Sequence, residues 1–351
     1  ILTSFFFYGF HGWQQLPLLI FSIIVNYVIG LKLEKNSKNR SGQLLLALGV
    51  TCNLCILAVY KYAFFITSVF NIEYSFNLTL PLAISFFTFQ QIAYLVDLRK
   101  GNLVSPSFTH YCIFVSFFPQ LIAGPIVRCQ QIIPQLKKRL LGKFNSKAFW
   151  VGVCLFSIGL FKKACLADGI RPLVDEIFSA SSDGITLSLA EAWVGVLAFG
   201  LQIYFDFSAY SEMALGLGMM LGLRLPQNFD SPYKAVNIVD FWKRWHITLS
   251  EFLRDYLYKP LGGNRLGVFR GVFNVMLVML LGGLWHGAGW TFIIWGFIHG
   301  CMIGIYHFFR CFTQDTTQTR STFLLKKFIA SFLTFVAVNI AWVFFRSEKI
   351  G

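Results

Sequence analysis

Residues 271–300 read GVFNVMLVMLLGGLWHGAGWTFIIWGFIHG, two apolar runs joined by a glycine-rich break that contains a histidine. The fifteen residues from Gly271 to Trp285 rise about 22 Å as an α-helix, whereas the hydrocarbon core of a bilayer is ~30 Å thick. We therefore expect His286 to lie inside a membrane, between two helices, where glycines allow backbone or ligand to approach closely. An ionisable residue at that depth is costly, which favours a functional role. A histidine hydrogen-bonded to a neighbouring helix is the structural alternative.

The composition of the chain indicates that lipid covers most of its surface. Of 351 residues, 56% are hydrophobic and 13% are charged, whereas an ordinary soluble domain carries ~25% charged residues. We predict an all-α fold, a polytopic membrane protein of roughly 9–11 transmembrane or re-entrant helices around a central tunnel. The candidate segments are 14–30, 44–70, 78–97, 110–127, 148–167, 189–222, 271–285, 290–309 and 328–345.

No internal repeat or low-complexity tract divides the chain, so we predict a single membrane domain over residues 1–351. The chain begins at Ile1 within an apolar run and stops just after another. We interpret it as a fragment that lacks membrane segments at one or both ends.

The connecting segments predict the orientation. The net charge is +14, and the basic residues gather in short segments between apolar runs, as the positive-inside rule describes; this disfavours nucleic acid as a partner. Stretches 31–43, 128–147 and 223–270 are expected in the cytoplasm, and the acidic stretch 168–188 is expected outside. Segment 110–127 would then enter and leave on one side, as a re-entrant element broken at its prolines.

Two further stretches place polar side chains among apolar ones. Apolar positions between 240 and 257 recur at helical spacing, so we predict a helix that carries His246 and lies at the interface or lines a wet cavity. Taken alone, His246 is better explained as an interfacial histidine. Asp206 and Glu212 lie within a long apolar stretch. Asp206 could be catalytic, but a hydrogen bond between helices or pairing with an arginine is favoured.

Other kinds of chemistry find little support. The sequence contains no metal-ligand spacing, GxSxG elbow or phosphate-binding glycine loop, so we expect no bound metal or cofactor. The turn Gly262-Gly263-Asn264-Arg265 ends a helix more plausibly than it binds phosphate. His299 and His307 lie on an aromatic-rich helix and carry little signal.

At these stretches the sequence resembles the membrane-bound O-acyltransferase family, specifically its bacterial alginate O-acetyltransferase branch. The resemblance implies a catalytic histidine in the Leu-Trp-His-Gly-Ala motif, which is His286, and a second functional polar residue some forty positions earlier, where His246 stands. Ala83, Ala209 and Glu212 depart from the family pattern without touching the histidines. The matching motifs run in family order through 81–90, 117–126, 204–218, 228–233, 240–265 and 281–300.

The resemblance also implies a reaction. An acyl group, expected to be acetyl, would pass from a cytoplasmic thioester, acetyl-CoA or an acyl carrier protein, to a hydroxyl of an extracytoplasmic polysaccharide or partner protein. The chain would be a multi-pass protein of the bacterial cytoplasmic (inner) membrane, in contact with membrane lipid and with a periplasmic or surface acyltransferase partner. His286 would act as general base on the hydroxyl.

A donor tunnel would adjoin the histidines. Basic side chains that include Lys243 and Lys259 would face the cytoplasm and bind the donor's phosphates or an acidic carrier. Tryptophans would wall the tunnel and exclude water. The candidate donor-tunnel residues are Asp206, Trp242, Arg244, Trp245, Ser250, Arg254, Asn264, Arg265 and Trp285.

Other functions stay open at the level of sequence. Within the family, the alternatives are acyl or D-alanyl transfer to teichoic acid, peptidoglycan or a lipid. A proton-coupled transporter could use Asp206, Glu212, His246 and His286 as a relay, although the paired broken helices of many transporters are not visible. A non-catalytic scaffold of a secretion complex is a third possibility.

Overall fold

The computed structural model describes residues 1–72, 79–138, 141–142, 144–310 and 320–347, and over these residues the chain is helical with no strand. Arg139 and Lys143, which contribute to the basic stretch 128–147, lie outside the described residues. The helices are α1 (Leu2–His11), α2 (Leu16–Lys35), α3 (Arg40–Leu57), α4 (Ala63–Val69), α5 (Ile84–Arg99), α6 (Phe108–Ser116), α7 (Phe118–Leu121), α8 (Cys129–Lys137), α9 (Ser146–Phe161), α10 (Asp168–Ser182), α11 (Leu189–Met220), α12 (Ile238–Arg244), α13 (Ile247–Leu253), α14 (Val268–His286), α15 (Trp290–Arg310) and α16 (Arg320–Arg346).

Seven helical stretches of the described chain are long and apolar enough to cross a membrane. They correspond to all the predicted segments except 78–97 and 110–127. The prediction of an all-α polytopic membrane protein is therefore confirmed. The side of the membrane on which each connection lies stays a prediction. The seven stretches are Trp13–Lys35, Arg40–Val69, Ser146–Ser182, Leu189–Met220, Val268–His286, Trp290–Arg310 and Leu324–Arg346.

The two remaining segments form shorter helices. Helix α5 begins at Ile84 and has 16 residues, and the next segment is divided between α6, with 9 residues, and α7, with 4. Nine helical residues rise only about 14 Å, so segment 110–127 does not cross a bilayer as one helix. The predicted break is present, and its re-entrant path stays a prediction.

The helix predicted to end at 167 continues, through a π-helical turn at Lys162–Ala167, to Ser182. Charge at 168–176 suggests a loop, but Asp168, Arg171 and Asp175 have partners within the protein. Lys163 pairs with Asp168 at 2.8 Å, and Asp175 pairs with Arg346 at 2.9 Å. Compensated charges do not end a helix.

The prediction of one helix over 240–257 is wrong, because the chain breaks at Trp245–His246. His246 adopts φ 43°, in the left-handed region. The backbone groups released by the break bond instead to the preceding loop: Ile247 N–H donates to Asn228 O at 3.0 Å, and Asp230 N–H donates to Arg244 O at 2.9 Å. Buried backbone groups must be paired, and this loop supplies the partners that a continuous helix would have supplied.

The chain divides into two compact units. The first comprises Ile1–Ile158 and Tyr210–Pro226. In it, buried side-chain hydrogen bonds join α2 to α3, through the amides of Asn26 and Asn53, which donate to each other, and α2 to α5, where Ser22 donates to Gln91. The second comprises Gly159–Ala209 and Gln227–Gly351 and contains an aromatic core. The prediction of a single domain stays a prediction.

In the second unit, α14 and α15 form a hairpin whose helices touch through glycine. A Cβ atom on Gly283 would meet the backbone carbonyl oxygen of Phe292, and one on Gly296 would meet that of Met279. Because the obstacle in both cases is backbone, the helices would have to separate to accept a side chain.

We therefore expect Gly283→Ala to lower the free energy of unfolding by about 1–3 kcal/mol, the usual cost of overpacking. Gly282→Ala is the matched control, since its Cβ would meet only the Leu253 side chain, at 3.4 Å. Thermal unfolding of the two variants in detergent provides the measurement. Equal melting temperatures would contradict the assigned helix contact.

Candidate active site

His286 is the last residue of α14, at the break that the sequence predicts, and α15 begins at Trp290. Its ring is half-buried and is held by the edges of three aromatic rings. The ring centroids lie 5.1 Å from Trp295, 5.2 Å from Phe345 and 4.9 Å from Trp285, with interplanar angles of 84°, 73° and 74°. The imidazole is therefore fixed in orientation but still accessible.

His246 is fully buried, and its two ring nitrogens differ. Asn228 Oδ1 accepts hydrogen bonds from Thr248 N–H and Thr248 Oγ1, so this atom is the amide oxygen and can only accept. His246 Nδ1 lies 3.1 Å from the same oxygen, and Nδ1 therefore carries the proton. Within the described chain, Nε2 has no hydrogen-bond partner. It retains a free lone pair, as a base or a hydrogen-bond acceptor requires.

Burial, and to a lesser degree the charge of His286, hold the pKa of His246 well below its usual value of 6.5. His246 is therefore neutral at physiological pH. Its ring packs edge-on against Phe207, with centroids 4.7 Å apart. Trp285 lies next to both histidines, 6.2 Å from the ring of His246 and 4.9 Å from that of His286.

A cavity of about 440 Å³ lies in the second unit; Ile247, the residue after His246, lines it, but neither His246 nor His286 does. It contains four of the residues expected to line a donor tunnel, which are Trp242, Ser250, Arg254 and Asn264. Its inner wall is apolar and comes from α14 and α15, and Lys243 lies at its exposed edge. The cavity therefore combines an apolar wall with three charged side chains, Lys243, Glu251 and Arg254, of which the last two lie 3.9 Å apart.

The other expected tunnel residues lie elsewhere. Trp245 is buried in the core and stacks on Phe241 at 5.6 Å. Arg265 is exposed outside the cavity lining. Asp206 forms an ion pair with Lys163 at 2.7 Å, the helix-to-helix pairing that the sequence favours, although the partner is lysine rather than arginine. Trp285 contacts the histidines, as described above.

Several of the basic residues expected to bind the donor already have acidic partners. Arg244 contacts Asp240 at 2.9 Å, whereas Asp255 lies 3.0 Å from Arg254 and 2.7 Å from Lys259. These carboxylates compensate much of the positive charge that the sequence suggests. Lys243 is consequently the better candidate for binding an anionic group.

Sequence reasoning missed three contributors to the site. Asn228 sets the tautomer of His246, and no local pattern distinguishes it from an ordinary loop amide. Phe345 contacts His286 from α16, far along the chain. His299 is fully buried and accepts a hydrogen bond from Trp242. Its spacing of four residues from Trp295 places both on one helix face, a pattern that any buried helix residue can show and that therefore did not single it out.

Across the parts of the chain that the structure describes, no cluster of three or more His, Cys, Asp or Glu side chains is placed to hold a metal ion.

Comparison with known proteins shows which family this chain resembles. A model of the membrane-bound O-acyltransferase family matches residues 43–345. The peptidoglycan O-acetyltransferase of Helicobacter pylori is 43% identical over 380 residues, which cover 100% of this chain and 71% of the relative. The "Probable alginate O-acetylase AlgI" of Azotobacter vinelandii is 40% identical, covering 98% of this chain and 68% of the relative. The teichoic acid D-alanyltransferase of Bacillus subtilis is 28% identical, covering 67% of this chain and 60% of the relative.

The depressed pKa of His246 predicts a pH-dependent stability. In the unfolded chain this histidine takes up a proton below about pH 6.5, whereas in the folded chain it does not, so stability falls as pH decreases through that value. The loss contributed by His246 approaches about 1.4 kcal/mol per pH unit below 6.5.

His246→Asn should therefore have a smaller decrease in melting temperature between pH 7.5 and 5.5 than the wild type has. Asparagine tolerates the left-handed backbone at this position and does not titrate. The control is His11→Asn, at an exposed histidine, which should keep the wild-type slope. The same slope in all three proteins would refute the assignment of a neutral buried His246.

Proposed function

Because the chain belongs to the membrane-bound O-acyltransferase family and is an acyltransferase, we propose that it moves an acetyl group from a cytoplasmic thioester to a hydroxyl of an extracytoplasmic polysaccharide. The observation that carries this proposal is the placement of His286. Its imidazole is accessible, fixed by surrounding aromatic rings and located at a helix break within the membrane-spanning hairpin. A general base needs this combination of access and orientation.

In the proposed reaction, His286 removes the proton of the acceptor hydroxyl while the hydroxyl oxygen attacks the carbonyl carbon of the thioester. The carbon–sulfur bond then breaks, the thiolate leaves, and the proton on His286 passes to that sulfur. The products are an O-acyl ester and a free thiol, and the histidine ends in its initial protonation state. No covalent acyl-histidine intermediate is needed.

His246 supports this chemistry through its Nε2 lone pair, which can accept a hydrogen bond from the acceptor hydroxyl or from a water. Since Asn228 fixes the proton on Nδ1, the accepting nitrogen does not depend on rotation of the ring. A neutral His246 also avoids a second positive charge next to His286 when that residue becomes protonated.

The cavity lined by Trp242, Ser250 and Arg254 is proposed as the donor site. Its apolar inner wall suits the acyl chain and thioester and limits hydrolysis by excluding water. Lys243, at the exposed edge, suits a phosphate of coenzyme A or of the prosthetic group of an acyl carrier protein. This arrangement requires that the edge face the cytoplasm, as the basic stretch 223–270 predicts.

For the acceptor, we propose a cell-envelope polysaccharide, and peptidoglycan is the first to examine. The H. pylori relative, whose name specifies peptidoglycan, is 43% identical, and the A. vinelandii relative, whose name specifies alginate, is 40% identical. Transfer of D-alanine to teichoic acid is a weaker candidate, because that relative is 28% identical over 67% of the chain. A periplasmic or surface acyltransferase partner and a location in the bacterial inner membrane belong to the same proposal.

The transporter alternative has less support. Asp206 is about half exposed and paired with Lys163. A proton relay needs groups that exchange protons in sequence, and this carboxylate is occupied by its ion pair. Membership in an acyltransferase family likewise disfavours a purely structural scaffold.

His286→Ala should reduce O-acetyl ester by about 100-fold or more, the usual contribution of a general base. The measurement is alkali-released acetate from purified peptidoglycan, exopolysaccharide and teichoic acid of cells that carry the full chain. His110→Ala, at equal membrane abundance, is the control and should retain ester. Undiminished ester in His286→Ala would exclude His286 from catalysis, and the fraction that loses acetate identifies the acceptor.

Lys243→Gln should raise KM for acetyl-CoA about three- to thirtyfold, because a hydrogen bond to a charged group contributes about 1.5–3 kcal/mol at most and this side chain is exposed. KM for a short acetyl thioester without phosphates should not change. Lys243→Arg retains the charge and should behave like the wild type in initial-rate assays. An equal rise for both donors would show that Lys243 does not bind phosphate.

A further inference from the structure

His299 is a fully buried polar residue that the reaction described above does not use. It lies on α15, surrounded by aromatic rings. Its ring centroid is 4.7 Å from Trp295 and 5.3 Å from Trp242, and it stacks on Phe241 at 6.2 Å. An apolar residue of similar size would fill this space without the desolvation cost of an imidazole.

The hydrogen bond of His299 defines its protonation. Trp242 Nε1 donates to His299 Nδ1 at 3.3 Å. An indole N–H can only donate, so Nδ1 must be unprotonated and the proton of the neutral imidazole lies on Nε2. In the described part of the chain, Nε2 has no hydrogen-bond partner. Within the described chain, the hydrogen bond accepted from Trp242 is therefore the polar interaction that the His299 ring makes.

His299 connects the cavity with the reacting histidine. Trp242 lines the cavity, and its indole orientation depends on the acceptor at Nδ1. On the other side, the ring of Trp295 lies between the two imidazoles, 4.7 Å from that of His299 and 5.1 Å from that of His286. One buried side chain thus contacts both the wall of the donor site and the ring that orients His286.

We propose that His299 is a positioning residue, which holds Trp242 across the inner end of the donor cavity so that the thioester meets the acceptor hydroxyl and not water. This inference rests on the proposed function. It assigns to Nδ1 of His299 a specific task, fixing one rotamer of Trp242, and assigns no contact with substrate.

The two nitrogens can be tested separately. Asparagine at position 299 places an amide oxygen near the position of Nδ1, whereas glutamine places it near that of Nε2. Both substitutions remove the imidazole and introduce an amide, so they form a matched pair. If acceptance of the hydrogen bond at Nδ1 is what holds Trp242, His299→Asn should keep Trp242 in one rotamer, whereas His299→Gln should not.

The informative measurement is how much acetyl-CoA is hydrolysed and how much donates its acetyl group to the acceptor. The full chain in proteoliposomes is supplied with acetyl-CoA, and thiol release is measured with and without purified peptidoglycan as the acceptor. We expect His299→Gln to raise the ratio of acceptor-independent hydrolysis to acetyl transfer about three- to tenfold, the equilibrium factor that corresponds to one neutral hydrogen bond. His299→Asn should stay near the wild-type ratio. A residue that only filled space would change protein abundance and leave this ratio unaltered.

Trp242→Phe provides a second route that does not place a new polar group in the core. It removes the indole N–H and should raise the hydrolysis ratio in the same way. In the Trp242→Phe background, His299→Gln should add nothing further, because the bond is already absent.

Equal ratios for His299→Asn and His299→Gln, or effects of Trp242→Phe and His299→Gln that multiply, would overturn the inference. Failure of the proposed function has a different signature: the wild-type chain itself would release no thiol in response to acceptor. The two outcomes are therefore distinguishable in one experiment.

Discussion

In hydrocarbon or in a protein core, a backbone N–H or C=O without a partner costs several kcal/mol, and this constraint determines where the chain can stop being helical. The break at His246 exists because the loop at Asn228–Asp230 supplies hydrogen bonds to the backbone on both sides of it. The break after His286 is possible because glycines turn the chain tightly between α14 and α15. Both histidines thus lie where the regular ladder of hydrogen bonds is interrupted and replaced.

Aromatic packing then determines the electrostatics of the site. Trp295 contacts His286, His299 and Trp342 at once, and rings around His246 exclude water from it. For the fully buried His246, such surroundings disfavour a charged imidazole, which leaves its Nε2 lone pair available. The hydrogen bonds from His246 to Asn228 and from Trp242 to His299 fix which nitrogen carries the proton.

Hydropathy predicted much of the fold, because length and apolar content are properties of a segment by itself. The α14–α15 hairpin and the position of His286 follow from it. The break at Trp245–His246 could not be found in this way, since apolar residues continue at helical spacing across it and the decisive partner, Asn228, is distant in sequence. The extension of α9 through 168–182 was missed because charge suggests a loop unless the partners, such as Arg346 for Asp175, are known.

The candidate site was only partly predictable for a related reason. A histidine flanked by glycines is conspicuous, whereas His299 has the neighbours of an ordinary buried helix residue. Its significance depends on Trp242, which approaches from another helix. Arg244 and Arg254 show the opposite case: each is conspicuous as a cation, but a nearby carboxylate compensates its positive charge.

The α14–α15 hairpin also has a consequence for biogenesis. Its glycine contacts join residues that are near in sequence, so it can form as soon as both helices have been synthesised. Two of the rings near His286 and Trp295, Phe345 and Trp342, belong to α16, which is synthesised later. A nascent chain that ends before α16 would have the contacts of His286 with Trp285 and Trp295 but not the one with Phe345. The orientation of the reactive group is therefore completed only when the last of these helices has been synthesised and has packed.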